Sequence, residues 1–132
     1  MLFRSAAALD QIGPAAANIQ PLMISVDPER DHGPMLKSFT EAFDKRLIGL
    51  TGSLEEIAKA AALVGVEFRK VQNGGEDYVV DHSATFTLIG PDRRTAETLR
   101  MGEAHLLAAH LIHVLGQAGV SLDRVGNVGA YR

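Results

Sequence analysis

His82 is the residue best placed for chemistry. It lies in the run Asp77-Tyr78-Val79-Val80-Asp81-His82-Ser83, just ahead of the apolar segment Thr85-Phe86-Thr87-Leu88-Ile89. An imidazole between two short strands suits a metal ligand or a proton-transfer group, and also a ring hydrogen-bonded to loop backbone. Tyr78 and Asp81 stand beside it, either to orient the ring or as a solvated loop pair. A second group is Asp27, Arg30 and Asp31 in Asp27-Pro28-Glu29-Arg30-Asp31. Two readings fit it equally: a loop that positions a site or a partner, and a turn held by Asp27 and an Arg30–carboxylate pair. A third is His105, His110 and His113 on one helix. His110 and His113 have a spacing that can chelate a divalent cation, but such a site needs a third ligand. The reading taken is an amphipathic helix with exposed histidines.

Much chemistry is excluded. The chain has no cysteine, which removes disulfides, thiolate metal sites and thiol catalysis, including peroxidase or reductase chemistry. Gly74-Gly75 lacks the Lys-Ser/Thr and following helix of a phosphate loop. Ser83 has no nucleophile-elbow context. The 132 residues amount to one domain, 46% hydrophobic and 22% charged, with a net charge of -3. Neither nucleic acid nor an anionic membrane surface is favoured by that balance. Five Phe, two Tyr and no Trp leave few platforms for base stacking. No apolar run approaches the roughly 18 residues of a membrane span. Asp10 and Gln11 interrupt the apolar start, so Met1 to Ala8 is not read as a signal peptide.

The elements that must position these groups follow from period and punctuation. Leu2 to Ile12 is a helix with Leu2, Ala6, Leu9 and Ile12 to one side, stopped by Gly13-Pro14. Leu22 to Val26 reads as a buried parallel strand ending in the Asp27–Asp31 turn, the end at which open α/β sheets place their sites. Residues 34–45 form an amphipathic helix through Leu36, Phe39 and Phe43. Leu47 to Leu50 is a strand. Ser53-Leu54-Glu55-Glu56 is a capping box opening a helix that turns Leu54, Ile57, Ala58 and Ala61 inward and closes at Gly65. Val66 to Val71 alternates as a half-exposed strand, and 72–76 is a loop. Tyr78 to Val80 is either a short paired segment or an extended lead-in. Thr85 to Ile89 and Thr95 to Met101 form a hairpin about Gly90-Pro91-Asp92-Arg93. Glu103 to Leu115 is the last helix, with Leu106, Ala109, Ile112 or His113, and Gly116 along a face. Parallel pairing on at least one side makes the class α/β.

Four segments, in order, resemble the Sco/SenC copper proteins. They are Ile24-Ser25-Val26-Asp27-Pro28-Glu29-Arg30-Asp31, the helix ending Ala42-Phe43-Asp44, Leu47-Ile48-Gly49-Leu50-Thr51-Gly52, and Asp77-Tyr78-Val79-Val80-Asp81-His82-Ser83. The resemblance implies a thioredoxin-like mixed sheet flanked by helices, truncated here on its N-terminal side. It also implies a copper chaperone that serves the binuclear copper centre of cytochrome c oxidase, not an enzyme, periplasmic or membrane-anchored. The family's copper site is two cysteines of a Cys-x-x-x-Cys motif plus the histidine matched by His82. A strand and that motif would precede the helix at Leu2. The strands at Leu22 and Thr85 would flank the missing one. The expectations are therefore a partial Sco-type domain over residues 1–119, a loosely ordered tail over 120–132, and copper binding impaired by the lack of thiolates. The alternative is a metal-free thioredoxin-like interaction module. Unpaired sheet edges leave room for a homo-oligomer.

Overall fold

The computed structural model describes residues 2–72, 78–82, 85–94, 96–99 and 104–119. Of the expected loop at 72–76, residues 73–76 lie outside the described residues, as do Asp77, Ser83 and the tail from Val120.

The chain opens with α1 (Leu2–Ile12), ended by Gly13 at φ 76°, a left-handed conformation glycine takes without strain. A 3-10 turn (Gly13–Asn18) follows with Pro14 near its start. Along α1 the buried positions are Ala8, Leu9 and Ile12. They face α4 (Ala104–Gln117), which buries Leu107, Ala108, Leu111 and Leu115. With Ala15, Ala16 and Leu99 these residues make the main core, and Ile19, Phe86 and Leu88 pack against it. The face expected of α4, through Leu106, Ala109, Ile112 or His113, and Gly116, is corrected by nearly half a turn. Apolar residues surround this helix almost completely, so its own period cannot choose a face and packing against α1 does.

Two short strands, β1 (Leu22–Ile24) and β2 (Ile48–Leu50), pair in parallel with Leu22 opposite Ile48 and Ile24 opposite Leu50. Between them runs α2 (Gly33–Phe43), whose buried Leu36 and Thr40 lie on Gly49. Phe39 is exposed and stacks edge-on to Phe43, with ring centroids 5.1 Å apart. The buried strand expected at Leu22 is only half so: α2 covers one face of the pair and leaves Leu22 and Ile24 exposed. α3 (Leu54–Leu63) opens with the expected capping box. Ser53 Oγ accepts from the Glu56 N–H at 3.2 Å, and Glu56 Oε2 accepts from the Ser53 N–H at 2.8 Å. Only Ile57 of its expected inner face is fully buried; Leu54 and Ala58 are exposed.

Two antiparallel pairs complete the strands: β3 (Phe68–Gln72) with β4 (Tyr78–His82), and β5 (Phe86–Ile89) with β6 (Ala96–Leu99). β3 starts two residues later than expected because Val66 belongs to the end of α3. Its N–H donates to Ala61 O at 2.9 Å and that of Gly65 to Ala62 O at 3.3 Å, a Schellman closure with Gly65 at φ 67°. The expected hairpin turn is present, with Arg93 N–H on Gly90 O at 3.0 Å and Arg94 N–H on the Asp92 side chain at 2.9 Å. Pairing is thus both parallel and antiparallel, but among the described residues it forms three two-stranded sheets.

Arg46 links the helical core to the parallel pair. Its guanidinium holds Asp10 of α1 at 2.7 Å and also the Asp44 carboxylate, while its carbonyl accepts from Gln20 Nε2 at 2.9 Å. The hydrogen bond from Arg46 keeps the Asp44 pKa below the usual carboxylate range. A group whose pKa is depressed by folding contributes stability above its unfolded pKa, and that contribution disappears as pH falls through the folded value. Arg46→Ala is therefore expected to cost about 1 kcal/mol at neutral pH, a size typical of exposed to half-buried ion pairs. In urea titrations the gap between the two proteins should narrow towards about pH 3, below the ordinary carboxylate pKa. A gap independent of pH would show that the pair carries no such linkage.

Candidate functional site

The loop at the C-terminal end of β1 is built by its own side chains. Ser25 is 3% exposed, a polar group in an apolar run, and so must find partners. Its Oγ donates to Asp31 Oδ2 at 2.6 Å and accepts from the Asp27 N–H at 3.1 Å. The Asp31 N–H donates to Asp27 O at 2.9 Å, and that of Arg30 to the same oxygen at 3.2 Å. Thr51 Oγ1, just past β2, donates to Asp31 O at 3.2 Å. The loop is thereby fixed to the ends of both parallel strands. Asp27, with its side chain only 12% exposed, is 3.4 Å from Arg30 Nε, and the Arg30 side chain is half-exposed.

Asp27, Arg30 and Asp31 are thus brought together, along with two residues that the sequence reading missed. Ser25 could have been found as the only hydroxyl in the run Leu22-Met23-Ile24-Ser25-Val26. Thr51 had no such signature, being twenty positions from its acceptor.

Tyr78, Asp81 and His82 lie together in β4, which continues through His82 rather than stopping at Val80. His82 pairs with Phe68, Asp81 with Arg69, and Tyr78 with Gln72. They therefore belong to a hairpin separate from the Asp27–Asp31 loop.

The histidines of α4 do not converge. His110 Nε2 lies 3.1 Å from Glu97 Oε2, connecting α4 to β6, whereas His105 and His113 are exposed. Among the described residues, no three His, Cys, Asp or Glu side chains are grouped so as to hold a metal ion. Copper(I) selects thiolate ligands, and the 132 residues contain none. The donors present do not make a complete copper(I) site.

Helices flanking short parallel and antiparallel strands, with a loop fixed at the carboxyl end of a parallel pair, make this an α/β protein. The SCO1/SenC family model matches residues 1–115, and the chain belongs to that family. Among curated relatives, the mitochondrial SCO1 homolog 1 of Arabidopsis thaliana is 40% identical over 92 residues, 69% of this chain and 28% of the relative. The human mitochondrial SCO1 homolog is 40% identical over 76 residues, 57% of this chain and 25% of the relative. The chain thus spans under a third of the length of these relatives. Similar solved structures include two with copper bound. Arabidopsis thaliana ScoI has a TM-score of 0.80 and 33% identity over 88% of this chain and 73% of its own. Bradyrhizobium japonicum ScoI has a TM-score of 0.76 and 34% identity over 86% of this chain and 73% of its own.

Proposed function

We propose that the chain carries the scaffold of a Sco-type copper chaperone for the binuclear copper centre of cytochrome c oxidase. In this reading His82 supplies the imidazole of a copper site, Tyr78 and Asp81 support it, and the Asp27–Asp31 loop, with Arg30 outward, meets the copper-receiving subunit. Residues 1–119 form the working unit and 120–132 a tail. Copper is cargo to be handed over, and no bond-making chemistry is assigned. The observation that supports this reading most directly is the likeness to copper-bound Sco structures over nearly nine-tenths of the chain. The named relatives are mitochondrial proteins, and a site facing the oxidase in the periplasm or on a membrane is the corresponding location. No described helix is long and apolar enough to cross a membrane.

A second reading, a metal-free interaction module, is favoured by the absence of cysteine. An imidazole completes a copper(I) site and does not make one alone. Copper binding by these 132 residues is accordingly impaired.

Competition titration of copper(I) against a chromophoric chelator tests both readings. The chain and its His82→Ala variant are expected to bind equally weakly. Joined to a segment bearing Cys-x-x-x-Cys, the chain should take one equivalent of copper(I), and His82→Ala should then weaken binding at least about tenfold. Tight stoichiometric binding by the chain alone, lost in His82→Ala, would refute the impairment. Binding by the joined chain that ignores His82 would remove it from the site and leave the interaction module.

A further inference from the structure

An imidazole and a thioether share the first turn of α2. His32 is the residue before the helix, extended at φ −138° and ψ 150°, and its ring makes no capping hydrogen bond. Such a position ordinarily holds Ser, Thr, Asp or Asn, whose side chain accepts from an amide of the first turn. The His32 carbonyl accepts from the N–H of Met35 at 3.1 Å and from that of Leu36 at 3.3 Å. Helical side chains lean towards the N-terminus and cover the preceding turn, so the long unbranched Met35 leans back to His32. Ser53 and Glu56 occupy the same two positions at the start of α3. There the side chains meet, Ser53 Oγ to Glu56 Oε2 at 3.1 Å. His32 and Met35 are both exposed, Met35 by 61%, although the adjoining Leu36 is buried. Gly33 between them leaves room, since a Cβ there would meet nothing within 4 Å.

We infer that His32 and Met35 together form a weak surface site for copper(I). A thioether is a soft donor that selects copper(I) over hard cations, and imidazole accepts the same ion. Zinc is taken by imidazole but gains little from the sulfur. Copper(I) has a filled d shell and accepts two donors in line, so this pair suffices for weak binding. A divalent cation needs a third ligand. The helix N-terminus itself repels a cation. The loop leading into it offsets that repulsion, with carboxylates at Asp27, Glu29 and Asp31 against the single guanidinium of Arg30. Asp31, which adjoins His32, is held in place by Ser25 Oγ at 2.6 Å. Two donors bind weakly, in keeping with the weak binding expected of the whole chain. On the chaperone reading the pair would hold cargo in passage, beside the loop that meets the receiving subunit. The site itself rests on its donors and does not involve His82.

The test is an anaerobic titration of the whole chain with copper(I), added as its acetonitrile complex and followed by carbon-edited NMR of methionine methyls and histidine rings. The Met35 methyl and the His32 ring are expected to shift together and saturate at one equivalent, while Met23 and His110 stay in place. Met35→Leu and His32→Asn should each weaken binding at least about tenfold, a loss reached already when only a ligand's support is removed. Both positions are exposed, and unchanged methyl signals from Ile12 and Leu111 would report an intact core. Zinc should leave the Met35 methyl where it is. His82→Ala should leave both copper(I) shifts unaltered. The inference is overturned if nothing saturates, if His32 moves without Met35, or if all methionines and histidines move alike. Loss of both shifts in His82→Ala would also overturn it and assign the ion to His82. Failure here leaves untouched the titration of the chain joined to Cys-x-x-x-Cys, which tests the chaperone reading separately.

Discussion

Ile12→Ala is expected to lower the unfolding free energy by about 3 kcal/mol, within the usual span for truncating a buried isoleucine. Ile12 is 0% exposed, at the end of α1, in the cluster that joins α1 to α4. How much a cavity costs depends on how far its walls can close. Several of the walls here are alanines, at positions 8, 15, 16 and 108, and alanine has no side-chain torsion with which to fill space. Ile12→Val, removing one methyl group, should cost about 1 kcal/mol. Against the 5–15 kcal/mol total of a typical domain, the alanine variant loses a large fraction. Urea titration should show its midpoint lowered with the slope unchanged. A loss below that of Ile12→Val would mean that α1 and α4 do not share one packed core.

What the sequence discloses depends on how far apart the cooperating residues are. The Ser53–Glu56 capping box spans three positions and could be read directly, as could the Gly13-Pro14 stop and the turn at Gly90. Helix faces were legible where polar residues interrupt the apolar ones. That is why α1 was placed nearly correctly, through Leu9 and Ile12, and the almost wholly apolar α4 was not. The Ser25–Asp31–Thr51 network spans six and twenty positions, and no local pattern joins its members. Nor could the sequence show that one face of β1–β2 stays bare: a run such as Leu22-Met23-Ile24 reads as buried on both sides. His82 was recognisable through the motif around it and not through its chemistry. Its assignment as a ligand depends on family likeness, whereas the loop at Asp27 rests on hydrogen bonds in this structure.

Gly49→Ala is expected to destabilise the protein by about 2 kcal/mol, the scale of forcing extra atoms into a packed site. Away from such contacts the same change in a strand interior should help, because glycine loses the most chain entropy on folding and alanine less. Packing reverses the sign. A Cβ at position 49 would sit 2.7 Å from Leu36 Cγ, 3.0 Å from Thr40 Cγ2 and 3.1 Å from Leu36 Cδ1. Cγ is the branch point of a leucine that is 4% exposed, so rotating the end of the chain does not clear the clash. Thr40 cannot give way cheaply either, since its hydroxyl donates to Lys37 O at 3.0 Å within α2. The remaining response is to lift α2 from β2, which uncovers the second face of the parallel pair. Gly49→Val should therefore be worse than Gly49→Ala. Leu36→Ala supplies the decisive control: alone it opens a cavity, but it removes the atoms that Cβ would strike. The double variant Gly49→Ala/Leu36→Ala should then lose less than the sum of the single losses, with a coupling of about 1 kcal/mol typical of residues in contact. Strict additivity in urea titrations would show that α2 does not press on Gly49. A positive coupling would show that this glycine is what lets the helix close over the parallel strands.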